Sequence, residues 1–230
     1  MAQKHIWEKE YQRQTLLSPT DNPQKDTSNF FKYLRKKYHQ QLEDNLRVLD
    51  LGSGNGRNAN HLASMGANIS GIEISQTAIR MAREAARIKQ VTVDYIQQSF
   101  GERFPFDDNT FDIIIDVTSS NSLNEQERET YLAELHRTLK PQGFLFLKTL
   151  CLDGDKNAKN LLKQSPGPEP HTYIMKEIHL TEKVFTRQEI IDLYSPHFTI
   201  LELTKKESYT RMNNKSYKRF FWLGYFQHKI

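Results

Sequence analysis

Three glycines at alternate positions, Gly52-Ser53-Gly54-Asn55-Gly56, follow directly on the apolar run Val48-Leu49-Asp50-Leu51. Glycines spaced this way let the chain turn sharply and let a ligand lie against the main chain with no Cβ in the way. Glu73 comes 21 residues after Gly52, in the run Gly71-Ile72-Glu73-Ile74-Ser75. An acid at that distance sits beside the glycine loop and can accept both hydroxyls of a ribose. Such charge-assisted hydrogen bonds contribute about 1.5–3 kcal/mol each. The chemistry implied is recognition of a nucleoside-like ligand. A nicotinamide-dinucleotide fingerprint reads G-x-G-x-x-G, whereas here the sixth position is Arg57 and the third glycine comes one place early, as Gly56. The Lys-Ser/Thr ending of a P-loop is absent as well.

A site of this kind has to be carried by alternating strands and helices. Short apolar or β-branched runs predict strands over Arg47–Leu51, Asn68–Ile74, Val91–Gln97, Phe111–Val117 and Phe144–Leu150. Between them, helical spacing predicts helices over Asn58–Met65, Gln76–Lys89 and Asn124–Leu139, the last terminated by Pro141 and Gly143. This alternation implies an α/β Rossmann-like three-layer sandwich, a mostly parallel sheet with helices on both faces and the ligand crevice at the carboxyl end of the first strand. Upstream, Trp7–Gln14 reads as a short helix, Leu17–Ser28 as loop and Phe30–Leu42 as a helix. Downstream, Asp153–Leu180 carries Gly154, Pro166, Gly167, Pro168 and Pro170 without a clean period, and a loop of that length is usually functional or disordered. Arg187–Tyr194 reads as a helix, and Phe198–Thr204 with Tyr217–Tyr225 as an antiparallel hairpin at the sheet's end.

The segment from Val48 to Asn58 resembles motif I of the class I S-adenosylmethionine (SAM)-dependent methyltransferases, and Glu73 resembles that family's ribose-binding acid. Two later stretches fit in order. Phe104-Pro105-Phe106-Asp107-Asp108-Asn109-Thr110-Phe111-Asp112 is similar to the family's segment before the fourth strand, and Leu139-Lys140-Pro141-Gln142-Gly143 to its turn before the fifth. The flavour is that of the methyltransferase type 11 group, and the closing hairpin suits the family's seven-stranded sheet. The resemblance implies SAM as cofactor and S-adenosylhomocysteine as product; no His/Cys/Asp/Glu cluster has metal-ligand spacing, so no metal is expected. The resemblance also implies that Gly52, Ser53, Gly54 and Gly56 line the methionine and ribose part. Asp50 would hold the loop or meet the SAM amino group, Glu73 the ribose, and Ile74 the adenine. After the third strand the family usually has an acid for the adenine amino group; here Gln97-Gln98-Ser99-Phe100 stands instead, which leaves Ser99 and Phe100 as candidates. Asp116, Val117, Thr118 and Ser119 would sit under the sulfonium and face the acceptor.

Methyl transfer from a sulfonium is an in-line displacement in which positioning can supply about 7–11 kcal/mol, so no fixed catalytic constellation is required and none is seen. The run that accompanies methylation of planar amino groups is missing after the fourth strand, and Cys151 lies outside the context of a cytosine-C5 nucleophile. Trp7 and Tyr11, one helical turn apart, are placed to fold over the SAM pocket or to dock a helix on the sheet. His171 and Tyr173 are candidates for the acceptor side, His171 as a base or as a solvated loop residue. The expected organisation is a single domain over 1–230: a helical extension (1–44), a SAM-binding core (45–150), a substrate-lid insert (151–182) and a C-terminal helix and hairpin (183–230).

The chain has 230 residues and one cysteine, so no internal disulfide can form and a reducing, cytoplasmic location is expected. The first residues lack a signal peptide's apolar core, and no apolar run approaches a membrane span. Formal net charge is +4, but Thr204–Ile230 alone carries +6. That basic end suits RNA, an anionic substrate, acidic lipid or a solubilised sheet edge. A small-molecule acceptor, with the protein as monomer or homodimer, is the leading expectation. An RNA or protein methyltransferase using the basic segment is the alternative, and a non-catalytic SAM-binding protein is the third reading.

Overall fold

A computed structural model describes residues 3–13, 20–39, 46–212 and 215–229, with the backbone alone at 210–212, 215 and 216. The helix ends expected at Gln14 and Leu42, and residues 17–19 of the expected loop, lie outside the described residues. The strands β1 (Arg47–Leu51), β2 (Asn68–Glu73), β3 (Asp94–Gln97), β4 (Phe111–Val117) and β5 (Leu139–Leu150) pair in parallel. Two long strands, β8 (Phe198–Met212) and β9 (Lys215–His228), complete a seven-stranded sheet in the order β3-β2-β1-β4-β5-β9-β8, with β9 antiparallel to both neighbours.

Strand periodicity divides the core between two faces. Ile113, Ile115, Phe144 and Phe146 point to one face, where they meet α2 (Lys25–Tyr38), α3 (Arg57–Ser64) and α4 (Gln76–Ile88). Ile114, Leu145 and Leu147 point to the other, against α5 (Glu125–Thr138) and α7 (Arg187–Tyr194). Phe30 of α2 stacks on Phe146 at 5.2 Å and tilts against Tyr225 at 5.0 Å, so the N-terminal region is packed on the β5–β9 pair. Among the described residues no helix is long and apolar enough to cross a membrane.

Three expectations are corrected. First, α2 begins at Lys25, inside the span expected to be loop, because Asp26 in its first turn is buried and held by Lys148 and Lys206. Second, the irregular stretch 153–180 holds α6 (Lys156–Gln164) and one strand of a small two-stranded sheet, β6 (Thr172–Met175) with β7 (Leu180–Lys183). Asp155 caps α6 by accepting from the Ala158 N–H at 2.8 Å, and Ala158, Leu161 and Leu162 pack on Leu150, Tyr173 and Phe221. Third, the hairpin pairs as far as Met212 with Lys215, well beyond its expected ends, because main-chain pairing continues where apolar alternation has stopped. A further helix, α1 (Lys4–Arg13), starts three residues before the expected Trp7.

Candidate functional site

The turn from β1 into α3 is built on positive backbone angles: φ is +63° at Gly52, +55° at Gly54 and +78° at Gly56. All three positions are also sterically closed to a side chain, Gly56 by the Tyr95 hydroxyl, Ala82 and Asn60. A Cβ on Gly52 would strike Ser119, whose Oγ donates to the Leu51 carbonyl at 2.8 Å, and a Cβ on Gly54 would strike the Tyr11 hydroxyl. The loop is stapled to β2 by the Ser53 N–H, which donates to the Ile72 carbonyl at 3.1 Å.

Glu73 ends β2 beside this loop and is buried. One of its oxygens accepts from the Gly54 N–H at 2.9 Å and the other from the Ser75 N–H at 2.8 Å. Burial pushes its carboxyl above the usual range, although the backbone N–H groups of Ser75, Gly54 and Ile74 pull the other way. A carboxylate oxygen has two lone-pair directions, so each oxygen keeps acceptor capacity for a ligand hydroxyl.

Asp50 lies next to the loop at 2% exposure, and its Oδ2 has no hydrogen-bond partner. Burial pushes this carboxyl up to about 8; Asp116 and Glu73 add to the rise and Arg57 opposes it. The Ser53 hydroxyl is likewise buried without a partner. Tyr11 is held well above the usual phenol range, first by burial and then by Glu73. Two unanswered polar atoms beside a bare main-chain turn describe a site shaped for a polar ligand.

The other residues expected here are placed as follows. Asp116, the penultimate residue of β4, has no exposure. Its Oδ1 accepts from the Ser119 and Ser120 N–H groups at 3.1 and 3.3 Å, and its Oδ2 from the Tyr131 hydroxyl at 2.8 Å. The carboxylate therefore fixes the turn after β4, which carries Ser119 to the glycine loop. Phe100 reaches the same loop, its ring 3.4 Å from where a Gly52 Cβ would stand. The Ser99 Oγ accepts from the Gly101 N–H at 3.2 Å and shapes the turn after β3. Ile74 is half-buried at the end of β2, and Trp7 is half-buried on α1. The insert's two candidates are held by other side chains. Tyr173 is wholly buried, with its hydroxyl donating to Glu182 at 2.6 Å and accepting from Arg219 at 3.2 Å, which makes it core rather than lining. His171 pairs through Nδ1 with Glu189 at 3.0 Å, beside the capping box of α7.

A family model described as a methyltransferase domain matches residues 48–143. An uncharacterized methyltransferase of Schizosaccharomyces pombe is 33% identical over 101 residues, which span 44% of this chain and 69% of the relative. The chain belongs to the class I SAM-dependent methyltransferase family. A ubiquinone biosynthesis O-methyltransferase of Bartonella tribocorum is 30% identical over 107 residues, 46% of this chain and 42% of that protein. The chain thus spans less than half the length of that relative. A SAM-dependent methyltransferase of known structure from Methanosarcina mazei shares the fold, with a TM-score of 0.73 at 24% identity over 84% of this chain and 97% of its own.

The family's cofactor fits the residues present. Glu73 retains acceptor capacity for ribose hydroxyls, the Asp50 Oδ2 has no donor of its own and could meet an ammonium, and Gly52 and Gly54 bring no side chains to the turn that Tyr11, Ser119 and Phe100 border. In this methyltransferase α1 closes over the same loop, a role that sequence reasoning raised for Trp7 and Tyr11 but not for the residues that anchor it. The Glu8 carboxylate accepts from the Ser75 hydroxyl at 2.8 Å and from the Thr77 N–H and hydroxyl at 3.2 and 2.5 Å. Gln3 bridges the Ser122 and Thr181 carbonyls and accepts from the Thr181 N–H. Neither carries a local sequence signal, because the partners of Glu8 lie 67–69 residues away and those of Gln3 119 and 178 away.

Proposed function

We propose that this chain binds SAM in the cleft at the carboxyl ends of β1 and β2 and transfers its methyl group to a small-molecule acceptor. The observation that carries the reading is the buried Glu73, pinned to the glycine loop while the Asp50 Oδ2 and the Ser53 hydroxyl stay unanswered. SAM, when bound, supplies an activated methyl group on a sulfonium. The protein's part is to hold and align: Glu73 takes the ribose, Asp50 the amino group, and the Asp116-fixed turn sets Ser119 and the loop in register. Burial under α1 excludes water, which strengthens every polar contact inside the cleft.

Two arguments favour a small acceptor. Relatives include ubiquinone biosynthesis O-methyltransferases and a phthiotriol/phenolphthiotriol dimycocerosates methyltransferase, names that point to small organic acceptors. In addition, much of the positive charge that would suit RNA is spent within the chain. Lys206 pairs with Asp26, Lys218 with Glu207 at 2.7 Å, and Arg219 with Asp155 at 3.4 Å. Calorimetry with SAM and S-adenosylhomocysteine, followed by a labelled-methyl screen of small hydroxylated and amino acceptors, tests the proposal. Binding of both nucleosides with label passing to a small acceptor is expected. Absence of binding, or label passing only to RNA or protein, would sink it.

A further inference from the structure

Three histidines from separate elements meet beside the first residues of β5, at the end of the sheet away from the glycine loop. His136 lies in the last turn of α5, His197 between α7 and β8, and His228 closes β9. The His197 ring stacks on that of His136 at 4.2 Å. His228 meets His136 edge-on at 4.8 Å, with its Nε2 2.6 Å from the His136 Nδ1. His228 is buried, and the other two reach the surface. Among the described residues no group is placed to hold a metal ion; the contact between His136 and His228 is that of a shared proton.

The partners place the protons. The Lys140 carbonyl only accepts, so the His228 Nδ1 donates to it at 3.0 Å. The Nε2 of neutral His228 is then bare and accepts from the His136 Nδ1–H. One added proton fits on the His136 Nε2 without disturbing this bond. A second, on His228, would set N–H against N–H, and one on His197 would stack a cation on a cation. Among the described residues no carboxylate acts on His136, which is held below its usual value by burial and then by His197 and His228. The charged side chains flanking the cluster are engaged elsewhere: Lys140 with Asp112, Arg137 with Glu134 and Asp108, and Lys229 with the Ser195 carbonyl. On α7, Asp192 is held by Gln188, and β8 brings the Phe198 ring to 5.6 Å from His228.

We propose that these three histidines form an acid-sensitive clasp, which fastens the joined ends of β8 and β9 to α5 while it carries at most one added proton and opens when it takes a second. The joint is the pair Phe198 with His228, closed by the Lys229 N–H donating to the His197 carbonyl. Because His136 is lowered in the folded chain, the opened form binds the proton first. The clasp's contribution is therefore complete above about pH 6.5 and is lost as pH falls below it. It stands whatever the cleft binds.

Amide exchange on the full chain, corrected for its intrinsic pH dependence, tests this. Between pH 7.5 and 5, exchange at Phe226, Gln227 and His228 should rise by about tenfold, the factor given by a tenfold difference in proton affinity between the closed and open forms. The amides of Val48 and Leu49 in β1 should stay protected. His136→Gln, which cannot take the charge, should exchange faster than the wild type at pH 7.5 and show no further rise at pH 5. His197→Gln, a surface change that covers the case in which the first variant fails to fold, should shrink the rise and leave the pH 7.5 rates near wild type. Unchanged protection of the β9 end at pH 5 in the wild type would overturn the clasp. So would a rise of wild-type size in the variants.

Discussion

Glu73 has two tasks, because the oxygens that would take a ribose also hold the Gly54 and Ser75 N–H groups. Loss of two charge-assisted hydrogen bonds amounts to about 3–6 kcal/mol. Glu73→Ala should therefore lower affinity for S-adenosylhomocysteine by at least about a hundredfold while the far-ultraviolet circular dichroism stays native. Unchanged affinity in a titration would remove the basis of the functional reading. Asp50 adds a pH signature. Its folded value of about 8 lies above the usual 3.8, so the free protein loses stability as pH rises from about 4 to 8 and levels off beyond. A ligand ammonium favours the ionised form. Binding should then release a proton below pH 8, and affinity should climb from pH 6 to 8. Titrations in buffers of differing ionisation enthalpy would show the proton, and Asp50→Asn should abolish both trends; a pH-independent affinity in the wild type would refute the assignment.

Helix α1 is the element that turns an open cleft into a covered one. Burial works to raise the Glu8 carboxyl, but hydrogen bonds from Thr77 and Ser75 outweigh it and hold the group near 2. The attachment is thus complete above about pH 4.5 and is lost as pH falls toward 2. At neutral pH, Glu8→Ala should speed dissociation of S-adenosylhomocysteine by about tenfold, in line with one charge-assisted bond, and raise amide exchange in α1. Stopped-flow release rates equal to wild type would mean that α1 does not cover the ligand. The same element shows where sequence reading stops. The glycine loop, Glu73 and the parallel strands are legible because their signals are local: glycines at fixed offsets and continuous apolar runs such as Ile113-Ile114-Ile115. The docking of α1 depends on contacts some 70 residues away. Helix α6 was hidden by a polar sequence whose apolar face is only Ala158, Leu161 and Leu162, and β6 and β7 are four residues each, too short for a period to register. The distal hairpin reads as polar surface because its pairing is carried by the main chain.

At the scale of the molecule, one buried carboxylate ties the two ends of the chain to the middle. Asp26, 4% exposed in the first turn of α2, accepts from Lys148 of β5 at 2.9 Å and from Lys206 of β8. Lys148 is also held by the Gln24 side chain at 2.8 Å, and the Gln24 N–H donates to Asn58 at the start of α3 at 2.9 Å. The network therefore joins the N-terminal region, β5 and the C-terminal hairpin to the helix that follows the glycine loop. It also consumes a lysine of the basic segment that would otherwise argue for a nucleic-acid partner. Removing one partner of a buried ion pair costs about 3–5 kcal/mol because the remaining charge stays desolvated. Lys206 is partly exposed and can return to water, whereas Lys148 is shielded and already lowered by burial. Asp26→Ala should accordingly cost about 3 kcal/mol, near the low end of that range, measured as a fall in the urea midpoint with an unchanged slope. Lys206→Ala should cost about 1 kcal/mol or less, as a half-exposed pair does. If the two variants were equally stable, the three regions would not be held through Asp26, and the packing of Phe30 against Phe146 and Tyr225 would have to carry the joint alone.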